Sequence, residues 1–276
     1  MQRSFTDQLG RTIQVDYPPK RIISLVPSQT ELLFDLGLDT EVVGITKFCI
    51  HPIAQFASKI KVGGTKKLNL DLIRDLKPDL IIGNKEENEQ LQIEALMEEF
   101  PVWMSDIYTL EDAKAAIAHI GALVNREPEA AYLVHLISAG FNDLQTLALQ
   151  HGIDKSVAYL IWREPYMLAG PDTFIDHLLT LNGLRNVIKQ NRYPETDLEN
   201  LGLLKPDLVF LSSEPYPFKE KHLEEIKKAM PAARVLLVDG EMFSWYGSRL
   251  VKAVQYLFQL QAEITGPARP GRGSEL

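Results

Sequence analysis

Trp162, Arg163, Tyr166 and Met167 follow one apolar run closely, and Tyr193, Tyr216, Phe243, Trp245 and Tyr246 stand on later stretches rich in polar residues. Aromatic faces interspersed with a few polar groups suit a large, flat, partly apolar ligand. Any one of these rings can equally pack a loop onto a core, but as a set, on loops, they favour a site. A second constellation lies in FCIHP. Cys49 and His51, with Glu86 or Glu87 of NKEEN, make a soft-plus-hard donor set for a metal. The simpler reading, an apolar cysteine and a hydrogen-bonded loop histidine, is preferred. NKEEN itself reads as a solvated helix start, with acids placed favourably against the dipole. His119, His135, His151, His177 and His222 fall on helices or at helix ends, which argues against a three-histidine site. Lys66 and Lys67 in GGTKKLN can attract carboxylates or phosphate. Catalysis has no comparable signal: there is no G-x-S-x-G, phosphate-binding loop or metalloprotease helix, and Ser28 and Ser248 lack a His–Asp arrangement.

Something has to hold these residues in place. Apolar runs at 22–26, 42–46, 80–83 and 102–104, then at 157–161, 186–188, 208–212 and 234–238, alternate with helical patterns. That alternation predicts an α/β fold with parallel sheets, and open parallel sheets bind ligands beyond the carboxyl ends of their strands. The aromatics, His51, Thr65, Lys66 and Glu86 all fall on segments that follow such ends. Between the halves, residues 109–151 lack any strand-like run. Thr109 caps a first helix, and Pro128 opens a second that reaches about Gln150. At about 34 Å, the second is a stiff strut rather than a flexible hinge.

The chain also repeats itself. NLDLIRDLKPDLII (69–82) lies over DLENLGLLKPDLVF (197–210) without a gap. Asn69 and Asp197 are both preferred N-caps, and Pro78 and Pro206 stop the helix. The apolar run after Asp79 and after Asp207 suits a strand buried on both faces. Asp71 and Glu199 take the second helical position of the two copies, where an acid gains about 0.3–1 kcal/mol from the helix dipole.

The chain has 276 residues, 45% apolar and 24% charged, enough for one large domain or two modest ones. A net charge of −8 with no basic patch argues against nucleic acid as a partner. With Cys49 alone, no internal disulfide can form. The opening MQRSFTDQLGR has no apolar core and does not read as a signal peptide, and nothing later is long enough to span a membrane. The tail TGPARPGRGSEL is Gly/Pro-rich and reads as disordered.

The opening FTDQLGRTIQVDYPPKRIISLVPSQTELL, the segment GGTKKLNLDLIRDLKPDLII, the central helical stretch and the closing SWYGSR form an ordered set. It resembles the substrate-binding proteins of bacterial ABC importers with a helical backbone, which serve vitamin B12, ferric siderophores, haem and some metals. The cobalamin branch is the most similar, and the resemblance runs from Phe5 to about Gln261. It implies two Rossmann-like lobes with parallel sheets, joined by one long rigid helix, with ligand in the cleft between them. The division would be a lobe at 1–108, helical linker at 109–151, lobe at 152–264 and tail at 265–276.

The resemblance further implies a non-enzymatic, monomeric receptor in the periplasm or at the cell surface. It would have no intrinsic cofactor and would pass a cobalamin, haem or ferric siderophore to a membrane permease. Its ligand residues would be Thr65, Lys66, Trp162, Arg163, Tyr166, Tyr193, Phe243, Trp245 and Tyr246. Tyr193 falls where one of the cobalamin branch's two flanking aromatics belongs, whereas Thr65 departs from the other. Asp71 and Glu199 align with acids offered to arginines of a two-fold symmetric permease. Two other readings stay open: a cytoplasmic metal- or cofactor-binding protein without a transporter, and an enzyme using the same loops.

Overall fold

The structure, a computed structural model, describes residues 1–266. The chain divides into two compact units, Met1–Ile137 with Trp245–Leu250, and Ser138–Ser244 with the segment from Val251 onward.

The first unit opens with an antiparallel hairpin of β1 (Gln2–Thr6) and β2 (Thr12–Asp16). It continues through β3 (Ile22–Ser24), α1 (Pro27–Asp35), β4 (Val42–Ile45), α2 (Ile53–Ser58), β5 (Ile60–Lys61) and α3 (Leu70–Leu76). Then come β6 (Leu80–Asn84), α4 (Gln90–Met97), β7 (Val102–Ser105) and α5 (Leu110–Leu123). The sheet runs β5-β4-β3-β6-β7 and is parallel throughout. β3 stops at Ser24, short of the expected Val26, because Pro27 already opens α1. The apolar runs fill the core as buried strands should: Ile23, Ile81 and Val102 are buried with Ile73, Leu76 and Leu96 from the covering helices.

Thr109 closes a capping box with Asp112 at the start of α5, as its type suggests. The 24-residue α6 (Glu127–Gln150) carries Pro128 in its first turn. The second unit continues with β8 (Lys155–Trp162), β9 (Tyr166–Leu168), α7 (Phe174–Leu181), β10 (Leu184–Asn186), β11 (Glu195–Thr196) and α8 (Leu198–Leu203). It ends with β12 (Leu208–Ser212), α9 (Glu220–Ala229), β13 (Arg234–Val238), α10 (Glu241–Ser244) and α11 (Leu250–Thr265). Its sheet runs β11-β9-β8-β12-β13, with β10 beside the start of β8. β8, β10, β12 and β13 are parallel, while β9 and β11 are antiparallel additions that the alternating pattern does not announce. β10 also falls earlier than the expected 186–188, because Asn186 turns the chain away. Its amide donates to Ala169 O at 2.9 Å and its Oδ1 accepts from Ile188 N at 3.0 Å. Thr265 ends α11, and the Gly/Pro-rich tail from residue 267 onward lies outside the described residues.

The repeat builds one device twice. Asn69 Oδ1 accepts from Leu72 N at 3.1 Å, and Asp197 Oδ1 from Asn200 N at 2.7 Å. Each helix then breaks at a left-handed lysine, Lys77 (φ 45°) or Lys205 (φ 46°), just before proline. The aspartate that follows clamps the neighbouring strand. Asp79 accepts from Lys20 N and Arg21 N at 2.7 and 2.8 Å, ahead of β3, and Asp207 accepts from Ser156 N at 2.8 Å in β8. Among the described residues no helix is long and apolar enough to cross a membrane.

Candidate functional site

In the first unit, the loops after β4, β5 and β6 gather at the carboxyl end of the sheet. Residues 63–68 make a tight turn. Gly63 and Leu68 form a bridge, Gly64 N donates to Lys67 O at 2.8 Å, and a Cβ on Gly63 (φ +111°) would sit 2.5 Å from Lys67 O. Thr65 is anchored there through its carbonyl, which accepts from Asn88 Nδ2 at 3.1 Å. Lys66 Nζ donates to the carbonyl of Glu86 at 2.6 Å, so this lysine is tied to the neighbouring loop. NKEEN is a turn rather than the expected helix start: Asn84 Oδ1 accepts from Glu86 N and Glu87 N at 2.9 and 3.0 Å, and α4 begins only at Gln90.

Beside the turn lies Phe48, half exposed, with Lys47 Nζ 5.0 Å from its ring centre. A Cβ on Gly64 would come within 3.1 Å of that ring, so the glycine leaves room for it. Together with Lys67 and the start of α3, these residues line a groove. Phe48 is the functional candidate that the aromatic inventory missed. Its signal was position, on the loop following β4.

The metal set is not assembled. Cys49 is fully buried, its sulfur 3.1 Å from the hydroxyls of both Thr30 and Thr46. Burial pushes its thiol pKa up, outweighing those two hydrogen bonds. His51 instead packs against Trp245, ring centres 5.5 Å apart and nearly edge-on. Among the described residues no group of three or more His, Cys, Asp or Glu side chains can hold a metal, so Cys49, His51 and Glu86 do not form one.

Trp245 and Tyr246 are largely buried on the segment that belongs to the first unit. Gly247 (φ +132°) lets that segment approach α1 closely, since a Cβ would lie 2.9 Å from Ser28 O. Arg249 places its guanidinium 4.8 Å from the Trp245 ring and grips Glu31 through two bonds of 2.7 and 2.8 Å. These contacts give Trp245 a fixed position in the unit.

In the second unit, Trp162 ends β8 with 39% of its surface exposed, braced edge-on by Tyr216 at 5.7 Å. Arg163 pairs with Glu164 and Glu225, and Tyr166 donates to Glu225 Oε1 at 2.7 Å. Glu225, which the sequence did not single out, therefore orders both. Burial, then the Glu225 contact, pushes the Tyr166 phenol up to about 12, while the Tyr166 hydrogen bond leads in holding the Glu225 carboxyl down. Tyr193 is partly exposed, its ring 5.5 Å from the Arg192 guanidinium. Its segment is fastened to β9 by Leu168 N donating to Pro194 O at 3.0 Å. Trp162, Arg163 and Tyr166 thus come together around the end of β8, with Tyr193 on the strand-edge segment beside β9. Phe243 does not join them. It is fully buried, packed against Tyr159 at 5.1 Å and near Phe210 and Tyr256, so the expectation of a ligand contact is corrected to a core role.

Residues 22–235 match the family described as periplasmic binding protein. The chain belongs to that family. Family membership carries a non-enzymatic, substrate-binding role. Among its relatives, the uncharacterized ABC transporter substrate-binding lipoprotein YvrC of Bacillus subtilis is 26% identical, over 91% of this chain and 82% of that protein. The vitamin B12-binding protein of Pectobacterium carotovorum is 25% identical, over 93% of this chain and 92% of its own. A periplasmic heme-binding protein from Pseudomonas aeruginosa shares the fold, with a TM-score of 0.76 at 21% identity over 91% of this chain and 95% of that one.

Proposed function

We propose that this protein is the receptor of an ABC importer, working outside the cytoplasmic membrane as a monomer. It takes a cobalamin, haem or ferric-siderophore type ligand and hands it to a permease. The observation that carries this reading is the pair of half-exposed rings at the carboxyl ends of the two sheets, Phe48 after β4 and Trp162 at the end of β8. Single exposed apolar side chains are ordinary on folded chains, so the weight lies on position: this end of a parallel sheet is where ligands sit. Relatives that bind vitamin B12 or haem support the ligand class.

In this proposal Trp162, Tyr166 and Tyr193 offer aromatic surface, and Arg163, held by Glu225, offers a fixed guanidinium. Within the first unit, Thr65 and Lys66 with Phe48, and His51 with Trp245 and Tyr246, are the residues offered to a ligand. Lobes at 1–108 and 152–264 would carry the ligand loops, with 109–151 connecting them. Asp71 and Glu199, both exposed, would meet cationic side chains of the permease.

Tryptophan fluorescence titration with cyanocobalamin, haemin and a ferric catecholate tests the reading. Saturable quenching by one of them, lost in Trp162→Ala, is the expected outcome. Flat titrations with all three would overturn it.

A further inference from the structure

The short helices that carry Asp71 and Glu199 match in backbone and differ in surface. Their caps and their left-handed lysines coincide, so residues can be compared position by position. On α3, Asp71 accepts from Arg74 Nη1 at 3.0 Å, and Arg74 is itself gripped by Glu99 through bonds of 2.8 and 2.9 Å. On α8 the residue at the Arg74 position is Gly202, and among the described residues Glu199 forms no ion pair. One turn further on, α3 has the exposed Asp75 and then Leu76, which is 9% exposed. The corresponding residues after Glu199 are Leu203 and Leu204, 72% and 46% exposed. Leu203 stands four residues from Glu199, on the same helix face.

The fold does not require a leucine at position 203, since the first unit has the exposed Asp75 there, and Leu204, whose counterpart Leu76 is buried, stays partly in water. Leu201 already fills the core beneath α8. We propose, resting on the docking role given above to Asp71 and Glu199, that the two contacts with the permease are chemically unequal. On the second unit, Glu199 with Leu203 and Leu204 meets a cationic residue flanked by an apolar one, and this contact carries most of the affinity. On the first unit, Arg74 has already compensated Asp71, and what remains is a polar contact that orients the complex. Burial of leucine is not screened by salt, whereas exposed ion pairs are weak and screened.

The test is docking of the ligand-free protein onto the ABC permease of the same genome in lipid nanodiscs, at low and high salt. Leu203→Asp, which writes the first unit's residue into the second, is expected to weaken docking by about tenfold or more at both salts. Asp71→Asn should change it less than about twofold. Leu203→Ala, a milder change at the same exposed site, should move docking in the same direction, and circular dichroism melts check that both variants fold. Docking by Leu203→Asp within about twofold of the parent overturns the unequal contact. If docking is then still abolished by the double reversal Asp71→Arg with Glu199→Arg, the docking role itself stands. If the double reversal also leaves docking intact, the docking role falls with it.

Discussion

Asp207 accepts hydrogen bonds from both the amide and the hydroxyl of Ser156, at 2.8 and 2.6 Å, and so ties the turn before β12 to the start of β8. Those bonds hold its carboxyl below the usual carboxylate range. A depressed folded-state pKa contributes stability that is full above the unfolded value, about 3.9, and is lost as pH falls through the folded one. Asp207→Asn should therefore cost about 1 kcal/mol near neutral pH, a modest figure for an exposed group. The gap between variant and parent should narrow below about pH 4. Urea midpoints at neutral and acid pH check both statements, and a gap that widens in acid would contradict the assignment.

The Glu31–Arg249 pair is of another kind, since both side chains are almost fully buried. Removing one partner strands the other charge out of water. Arg249→Met is expected to cost about 3–5 kcal/mol, and the double replacement Glu31→Leu with Arg249→Met clearly less than the sum. Denaturant unfolding of the parent, both single variants and the double variant measures the coupling. Simple additivity would show that the two charges do not depend on one another.

Cys49 should behave as a core residue. Its thiol is buried and its pKa raised chiefly by that burial, so little thiolate forms near neutral pH. An aromatic disulfide reagent is expected to label it slowly in the native protein and promptly in denaturant. Rapid native labelling would reopen the loop as a chemically active site.

Much of the scaffold was legible because its signals are local. Caps at Asn69, Thr109 and Asp197, breaks before Pro78 and Pro206, and long apolar runs need only neighbouring residues to act. The hairpin β1–β2 was missed because most of its residues stay exposed and give little hydrophobic pattern. β9 and β11 were missed because two or three residues pair only once β8 is in place. In the candidate site, Arg163 and Tyr166 were visible, but their organiser Glu225 lies on α9, far along the chain. Residue type alone could not separate an aromatic that packs from one that faces out, and Phe243 and Phe48 were misjudged in opposite directions for that reason.

Within the second unit, Phe243 and Trp162 stand at opposite extremes of burial. Phe243 has no exposed surface and lies among Tyr159, Phe210 and Tyr256, whereas Trp162 keeps 39% of its surface in water. Phe243→Ala should leave a cavity and cost about 3–5 kcal/mol. Trp162→Ala removes a partly exposed ring that meets the edge of Tyr216, and a change at such a surface position is expected to cost about 1 kcal/mol. Ligand quenching should respond the other way round. It would be lost in Trp162→Ala and retained in Phe243→Ala at temperatures where that variant is folded, with Trp245 still available to report. Thermal melts paired with ligand titrations separate the two roles. A destabilised Trp162→Ala that still binds its ligand would return this ring to the packing role that sequence alone had left open.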